Sequence, residues 1–206
     1  MSKSQNPMTG NMSGSMANFA TYKRFGENII RSKAFEPKDA NTVSQKAHRA
    51  SFKLIINAYE SFGSFTDTTF PKRAENLSPF NAFVATNLPE AIDKTGQTPA
   101  IVYSKLKISV GTLKPSIATG TIGVGGITLN YKASVDIRVT ETDKVVAIAK
   151  LKSGELLLQQ KENGKVSGSL MLAYDGITAE EVDGCYLFVQ KADGSNVSNS
   201  TYVSVI

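Results

Sequence analysis

Tryptophan is absent from the 206-residue sequence, and histidine and cysteine occur once each, which excludes several kinds of site. Because Cys185 is the single cysteine, the chain cannot form an internal disulfide. No cluster of cysteine and histidine exists that could hold a structural zinc ion. A catalytic site of the Ser-His-Asp type would have to use His48, the one available imidazole.

Long apolar runs are also lacking. No stretch approaches 18 consecutive apolar residues, so no membrane span is predicted. The first 19 residues have no apolar segment of the kind that a secretory signal needs. We therefore expect a chain made in the cytoplasm, which could later be incorporated into a virion. Its final location stays open.

The positive charge is concentrated at the N-terminus. Residues 1–60 contain nine Lys and Arg against four Asp and Glu, whereas the rest of the chain has 14 of each sign. The whole net charge of +5 therefore belongs to the first third. Such an excess is typical of a solvated basic face, and the alternatives are a surface for an acidic protein partner or for nucleic acid.

Residues 1–20 are rich in Ser, Asn, Gly and Met and nearly uncharged. Such a composition buries too little apolar surface to offset the entropy of ordering, so we predict an extended N-terminal arm over residues 1–41. The arm is either a disordered tail or a strip that orders against a neighbouring subunit. For the second alternative, the candidate contacts are apolar residues spaced by four, four and three: Met8, Met12, Met16 and Phe19.

A helical segment is predicted over residues 42–95. Thr42 and Gln45 fit a capping box, and an apolar stripe follows at spacings of three and four until Gly63. The stripe comprises Val43, Ala47, Ala50, Leu54, Ala58 and Phe62. Lys46, Arg49 and Lys53 form a basic stripe on another face of the same helix and are candidate partner-binding residues.

A second helix is predicted to start at Ser78-Pro79, since Ser is a favoured N-cap and Pro fits the first helical position. Its expected end is Asn87 or Leu88, because Pro89 follows.

From Pro99 the apolar period changes from 3.6 to 2, as in Leu106, Ile108 and Val110. About eight short strand candidates follow without an intervening helix, separated by Gly, Asn and Asp turns. We predict a mainly β fold with an α-helical N-terminal part. Its main domain is an antiparallel immunoglobulin-like β-sandwich over residues 99–206, preceded by the extended arm and two helices. Asn163-Gly164 indicates a tight hairpin.

Short landmarks along most of the chain resemble an uncharacterised family of about 200-residue proteins found in Bacteroidota. They are Gly14, Gly26, Arg31-Ser32-Lys33, Asn41, Gln45, Arg49, Phe52, Ser78, Phe80-Asn81-Ala82, Tyr103-Ser104-Lys105, Ser109, Gly111, Asp193-Gly194, Val197-Ser198-Asn199-Ser200 and Tyr202-Val203. The family usually carries a Trp between the first two glycines, which this chain lacks. The resemblance implies a domain layout and no activity. The last strands are also similar to those of a fibronectin type III or immunoglobulin-like domain, in which Tyr186 would be a corner tyrosine.

Four features that could carry chemistry have simpler interpretations. His48 is expected at a surface or interface, between cations. Cys185 is expected to be a core thiol. The glycine-rich stretch 119–126 lacks the Lys of a phosphate-binding loop, which favours a hairpin. The acids Asp175, Glu180, Glu181 and Asp183 lack the EF-hand order, which favours a solvated loop over a cation site.

These observations favour a non-enzymatic structural or interaction protein with no cofactor and no bound metal. We expect a subunit of a larger assembly, such as a phage-like virion, that associates with its own copies or with other subunits through the arm and the basic helix. The alternative is a nucleic-acid-binding accessory protein that uses the basic N-terminal third.

Overall fold

The computed structural model describes residues 2–4, 14–33, 39–63, 65–71, 77–95 and 98–205. The chain divides into two compact units, residues 1–42 and residues 43–206.

The N-terminal unit contains an antiparallel sheet with the strand order β1-β4-β3-β2. Its strands are β1 (Ser2–Ser4), β2 (Gly14–Met16), β3 (Phe19–Arg24) and β4 (Glu27–Ser32). Phe25 and Gly26 join β3 to β4 with φ angles of 49° and 83°, and positive angles at both positions are typical of a tight hairpin turn.

Where it is described, the arm expected over residues 1–41 is therefore a small sheet. The expectation rested on how little apolar surface the segment can bury. Backbone hydrogen bonds between strands do not depend on apolar side chains, so composition alone did not reveal the pairing.

The second unit begins with helices, and its described residues form α1 (Val43–Phe62), α2 (Phe65–Thr68) and α3 (Pro79–Asn87). The prediction for α3 is confirmed. The Ser78 hydroxyl accepts a hydrogen bond from the Asn81 N–H at 3.2 Å, and Pro79 occupies the first turn. The sequence analysis did not predict the single turn α2.

The remaining strands are antiparallel. They are β5 (Ile92–Asp93), β6 (Ala100–Ile101), β7 (Ala118–Gly123), β8 (Gly126–Tyr131), β9 (Lys144–Leu151), β10 (Leu156–Glu162), β11 (Gly168–Ala173), β12 (Val182–Gln190) and β13 (Thr201–Tyr202). β5 pairs with β6. The others form a three-stranded sheet, β11-β8-β7, and a four-stranded sheet, β10-β9-β12-β13. The predicted mainly β, antiparallel class with helices is thus confirmed.

The sheets β11-β8-β7 and β10-β9-β12-β13 pack face to face around one apolar core, to which Leu129, Leu172 and Leu187 contribute. The chain changes sheet after β8, after β10 and again after β11. This alternation between sheets is the one an immunoglobulin-like sandwich uses.

A second core lies on the opposite face of the four-stranded sheet. There Ile148 and Phe188 pack with Ile55, Phe62 and Phe83 from the helices. β9 and β12 are therefore covered on both faces, which is why most of their residues are buried.

Because helices and strands share this core, the predicted division into a helical segment 42–95 and a sandwich 99–206 is not a division between compact units. The change of period at Pro99 marks a change of secondary structure inside one unit.

The predicted hairpin at Asn163-Gly164 is wrong in one respect. Asn163 has a φ of 73°, as a turn residue can, but β10 and β11 lie in different sheets. The turn links the sheets, and the Gly164 N–H donates to the Asp143 carbonyl at 3.0 Å. The turn signal is local, whereas the sheet that the next strand joins is decided by packing.

Candidate interaction surfaces

The residues around Ile108 do not form the predicted strand, because the backbone bends at Ile108 and its hydrogen bonds go mainly to side chains. The Ile108 N–H donates to the Ser200 hydroxyl at 3.0 Å, and the Ser109 hydroxyl donates to the Ser198 carbonyl at 2.8 Å. The Gly111 N–H donates to the Asn199 side-chain oxygen at 3.2 Å. We name residues 107–112 and 196–200 together the clasp.

The clasp explains several of the family landmarks. Ser109, Gly111 and the run Val197-Ser198-Asn199-Ser200 lie some 90 residues apart in sequence but meet here. A Cβ at Gly111 would lie 1.9 Å from the Val197 carbonyl oxygen, so only glycine allows this approach. These residues maintain the fold, and their arrangement is explained without a bound ligand.

Two buried polar side chains join the clasp to the helical layer, and the sequence analysis missed both. The Asn87 amide accepts from the Lys107 N–H at 2.7 Å and donates to the Lys107 carbonyl at 2.9 Å. The Thr69 hydroxyl donates to the Ile108 carbonyl at 2.6 Å. Nothing in their local sequence distinguishes them from surface polar residues.

Tyr186 is not the predicted corner tyrosine. Its hydroxyl donates to the Tyr103 carbonyl at 2.8 Å, 83 positions earlier, whereas a corner tyrosine bonds to backbone a few residues upstream. The ring is fully buried beside Phe62 and Tyr202. Burial raises the pKa of Tyr186, so the phenol stays protonated.

The other features singled out for chemistry have structural roles or lie at the surface. Cys185 is buried between the sheets, and burial raises the pKa of its thiol to about 12. The glycine-rich stretch is the β7–β8 hairpin, as predicted. His48 is exposed on α1. Among the residues that the structure describes, no group of three or more His, Cys, Asp or Glu could hold a metal ion.

The acids near residue 180 form part of a structured turn. The Glu181 carboxylate accepts from the Thr178 N–H at 2.9 Å and from the Thr178 hydroxyl at 3.0 Å. These bonds lower the pKa of Glu181. Asp175 and Glu180 are exposed on either side of the buried Ile177.

The first two turns of α1 project away from the core. All eight residues from Val43 to Ala50 are exposed, with Val43 at 85%. The predicted apolar stripe is therefore only half correct, since Val43, Ala47 and Ala50 are not buried. The buried face consists of Ser51, Ile55, Ala58 and Phe62.

The basic stripe of α1 faces solvent, as its spacing predicted. Lys46, Arg49 and Lys53 are all exposed. Successive residues of an α-helix are rotated by about 100° around its axis, so these three side chains lie roughly opposite the buried face that includes Ile55. Arg49 and Lys53 also border an open depression with His48, Phe52 and Ile56.

The structure describes only part of the predicted arm contacts. Met8 and Met12 lie outside the described residues. Met16 ends β2 and pairs in register with Phe19, whose side chain is 52% exposed. Phe25 is 55% exposed, with the Arg24 guanidinium 5.3 Å from its ring centre. The described part of the N-terminal unit therefore presents two exposed aromatic rings.

The fold defines the class of protein: an antiparallel β-sandwich in which a helical layer covers one outer face. The chain belongs to a family of unknown function, DUF6266, whose profile matches residues 10–204. This confirms membership of an uncharacterised family, while an origin in Bacteroidota stays a prediction.

Other comparisons add little. No curated protein matches the chain. Among solved structures it is similar to the adhesin domain of Epf from Streptococcus pyogenes at 19% identity, with a TM-score of 0.32. The match covers 45% of this chain and 33% of that one, so the chain spans about a third of that structure. No described helix is both long enough and apolar enough to cross a membrane.

Proposed function

We propose that this protein is a non-enzymatic interaction protein that works as a subunit of a larger assembly, with a phage-like virion as the setting. The observation that supports this proposal is the exposed first half of α1. A helix of two turns without tertiary packing is marginal in water, because nucleation is costly and packing supplies most helix stability. Eight consecutive exposed residues at the start of a 20-residue helix therefore suit a surface that a partner covers.

The N-terminal unit supports the same proposal. Among the described residues of this unit, Ile29 is the one buried apolar residue. A small sheet that buries so little apolar surface is marginally stable by itself. Exposed Phe19 and Phe25 give it two aromatic anchors of the kind found at protein interfaces. A partner would bury these rings and stabilise the sheet.

The test compares the full chain with a chain that starts at residue 43. Light scattering coupled to size exclusion, at low and at high salt, should show a discrete multimer for the full chain. The truncated chain should stay folded by circular dichroism but associate more weakly.

A full chain that remains monomeric at every concentration and salt would overturn the proposal. If that monomer also retains single-stranded DNA on a filter, the nucleic-acid-binding alternative is favoured.

A further inference from the structure

A group of exposed acids lies in the same unit as the basic stripe of α1. Glu155, Asp175, Glu180 and Glu181 are all exposed, and we name them the acidic patch. Two of them gather around Tyr174, whose hydroxyl donates to the Glu155 carboxylate at 3.3 Å. The negative charge of Glu155, followed by that of Glu181, raises the pKa of Tyr174. Asp175 follows Tyr174 directly in the chain.

The acidic patch keeps a net negative charge. Lys152 borders it, since its N–H donates to the Glu181 carbonyl at 2.8 Å, and the Lys150 ammonium donates nearby to the Leu151 carbonyl at 3.2 Å, but the four carboxylates outnumber these two cations. The ion pairs found elsewhere in the described unit use other acids, namely Glu90, Asp136 and Asp143. The patch can therefore accept cations from outside.

The basic stripe is its complement. Lys46, Arg49 and Lys53 lie on one face of α1 and span about 10 Å along the helix axis. Lys46 and Arg49 belong to the part of the helix that projects from the core, and Lys53 lies just beyond that part. Each copy of the chain carries one basic and one acidic surface. The basic stripe of one copy therefore attracts the acidic patch of another, which favours their encounter.

We propose that the basic stripe of one copy docks on the acidic patch of a second copy. This inference rests on the proposed function and names the partner. The contact can repeat head to tail, which produces a ring or an open filament, or it can be made twice across a two-fold axis in a closed dimer. Its strength should fall at high salt, since screening shortens the reach of charges at a rim.

The test uses two full-length charge-reversed variants. The helix variant carries Lys46→Glu, Arg49→Glu and Lys53→Glu, and the patch variant carries Asp175→Lys and Glu180→Lys. Glu181 is left unchanged because it holds the turn at Thr178. In analytical ultracentrifugation each variant alone should associate at least tenfold more weakly than the wild type.

An equimolar mixture of the two variants should recover assembly. The acidic helix of one then meets the patch of the other, where the two reversed positions and Lys152 outnumber Glu155 and Glu181, and the unchanged surfaces match in the same way. A matched control reverses three exposed lysines elsewhere, with Lys114→Glu, Lys132→Glu and Lys165→Glu, and should assemble as the wild type does. If the helix variant fails to fold, the neutral set Lys46→Gln, Arg49→Gln and Lys53→Gln replaces it.

The outcomes separate this inference from the proposed function. A wild type that assembles, together with variants that assemble equally well or a mixture that does not recover, overturns the docking mode alone. A wild type that stays monomeric overturns both. A helix variant that loses only the retention of a DNA oligonucleotide assigns the stripe to nucleic acid and also overturns the docking mode.

Discussion

At the scale of single residues, buried polar groups hold together segments that are distant in sequence. Ser109, Asn87 and Thr69 each bond to backbone that lies more than 15 positions away. Buried backbone groups need partners, and leaving one unsatisfied costs about 1–3 kcal/mol. These side chains therefore supply the backbone of the clasp with hydrogen bonds that a neighbouring strand would supply in a sheet.

Gly111, the single glycine of the clasp, should not tolerate a side chain. In Gly111→Ala the new methyl group would meet the Val197 carbonyl, so the backbone of the clasp must shift. We expect a loss of roughly 1–3 kcal/mol in the free energy of unfolding, measured by urea denaturation. Gly123→Ala is the matched control, because a Cβ there meets nothing within 4 Å. Equal losses in the two variants would contradict this account.

Asp143 should make the protein sensitive to acid. Burial raises the pKa of this carboxyl, but the N–H groups of Thr140 and Ala192 and the Lys191 ammonium at 3.3 Å outweigh burial and lower it. A carboxyl with a lowered folded pKa stabilises the protein above its unfolded value of about 3.9. That contribution is lost as the pH falls through the folded value.

The variant Asp143→Asn tests this dependence. At pH 7 it should lose about 1–3 kcal/mol of stability, because its amide cannot accept from both N–H donors as the carboxylate does. Below about pH 4 the difference between variant and wild type should shrink. Glu141→Gln, at a nearby exposed position, should change little at either pH. A constant difference from pH 7 to pH 2 would contradict the prediction.

At the scale of elements, α1 and α3 depend on different sources of stability. α3 has a side-chain cap at Ser78 and several buried residues, among them Phe83. The first half of α1 is exposed, its first turn contains no acidic residue, and the helix gains tertiary packing only from Ser51 onward. A partner therefore has more to contribute to α1 than to α3.

The cap of α3 can be tested directly. Ser78→Ala removes the oxygen that accepts from the Asn81 N–H, and it should cost about 1 kcal/mol of stability. Thermal melting or urea denaturation measures the loss. Ser169→Ala, on the exposed side of β11, is the control and should change stability far less. No difference between the two variants would mean that water replaces the cap at no cost.

At the scale of the whole molecule, the four-stranded sheet is the middle layer of residues 43–206. Its one face packs on the three-stranded sheet and its other face on the helices. Tyr186 and Phe188 lie on the helical side and Cys185 and Leu187 on the other, so adjacent residues of β12 stabilise different interfaces. Removal of either outer layer would expose buried apolar surface to water.

Two fragments test this layered architecture. Residues 43–206 should melt cooperatively, because both cores remain complete. Residues 99–206 lack the helices, which leaves Tyr186, Phe188, Val146 and Ile148 uncovered. We expect this shorter fragment to bind a hydrophobic dye and to melt without a sharp transition. A cooperative melt of residues 99–206 at the temperature of the longer fragment would show that the sandwich folds independently.

Features that depend on neighbours within a few positions could be predicted without the tertiary structure. Capping and turn hydrogen bonds close within four residues, so the local sequence is enough to predict them. This holds for the cap at Ser78-Pro79, the end of α3, the extent of α1 and the β7–β8 hairpin. The solvent-facing stripe of Lys46, Arg49 and Lys53 followed from helical period alone.

Tertiary structure decided the rest. It placed β10 and β11 in different sheets despite the turn signal at Asn163, and it directed the Tyr186 hydroxyl to Tyr103 across 83 positions. It also left Val43 exposed although the apolar period includes it. The physical reason is the same in each case: a period specifies which residues share a face, but only packing between distant segments decides what covers that face.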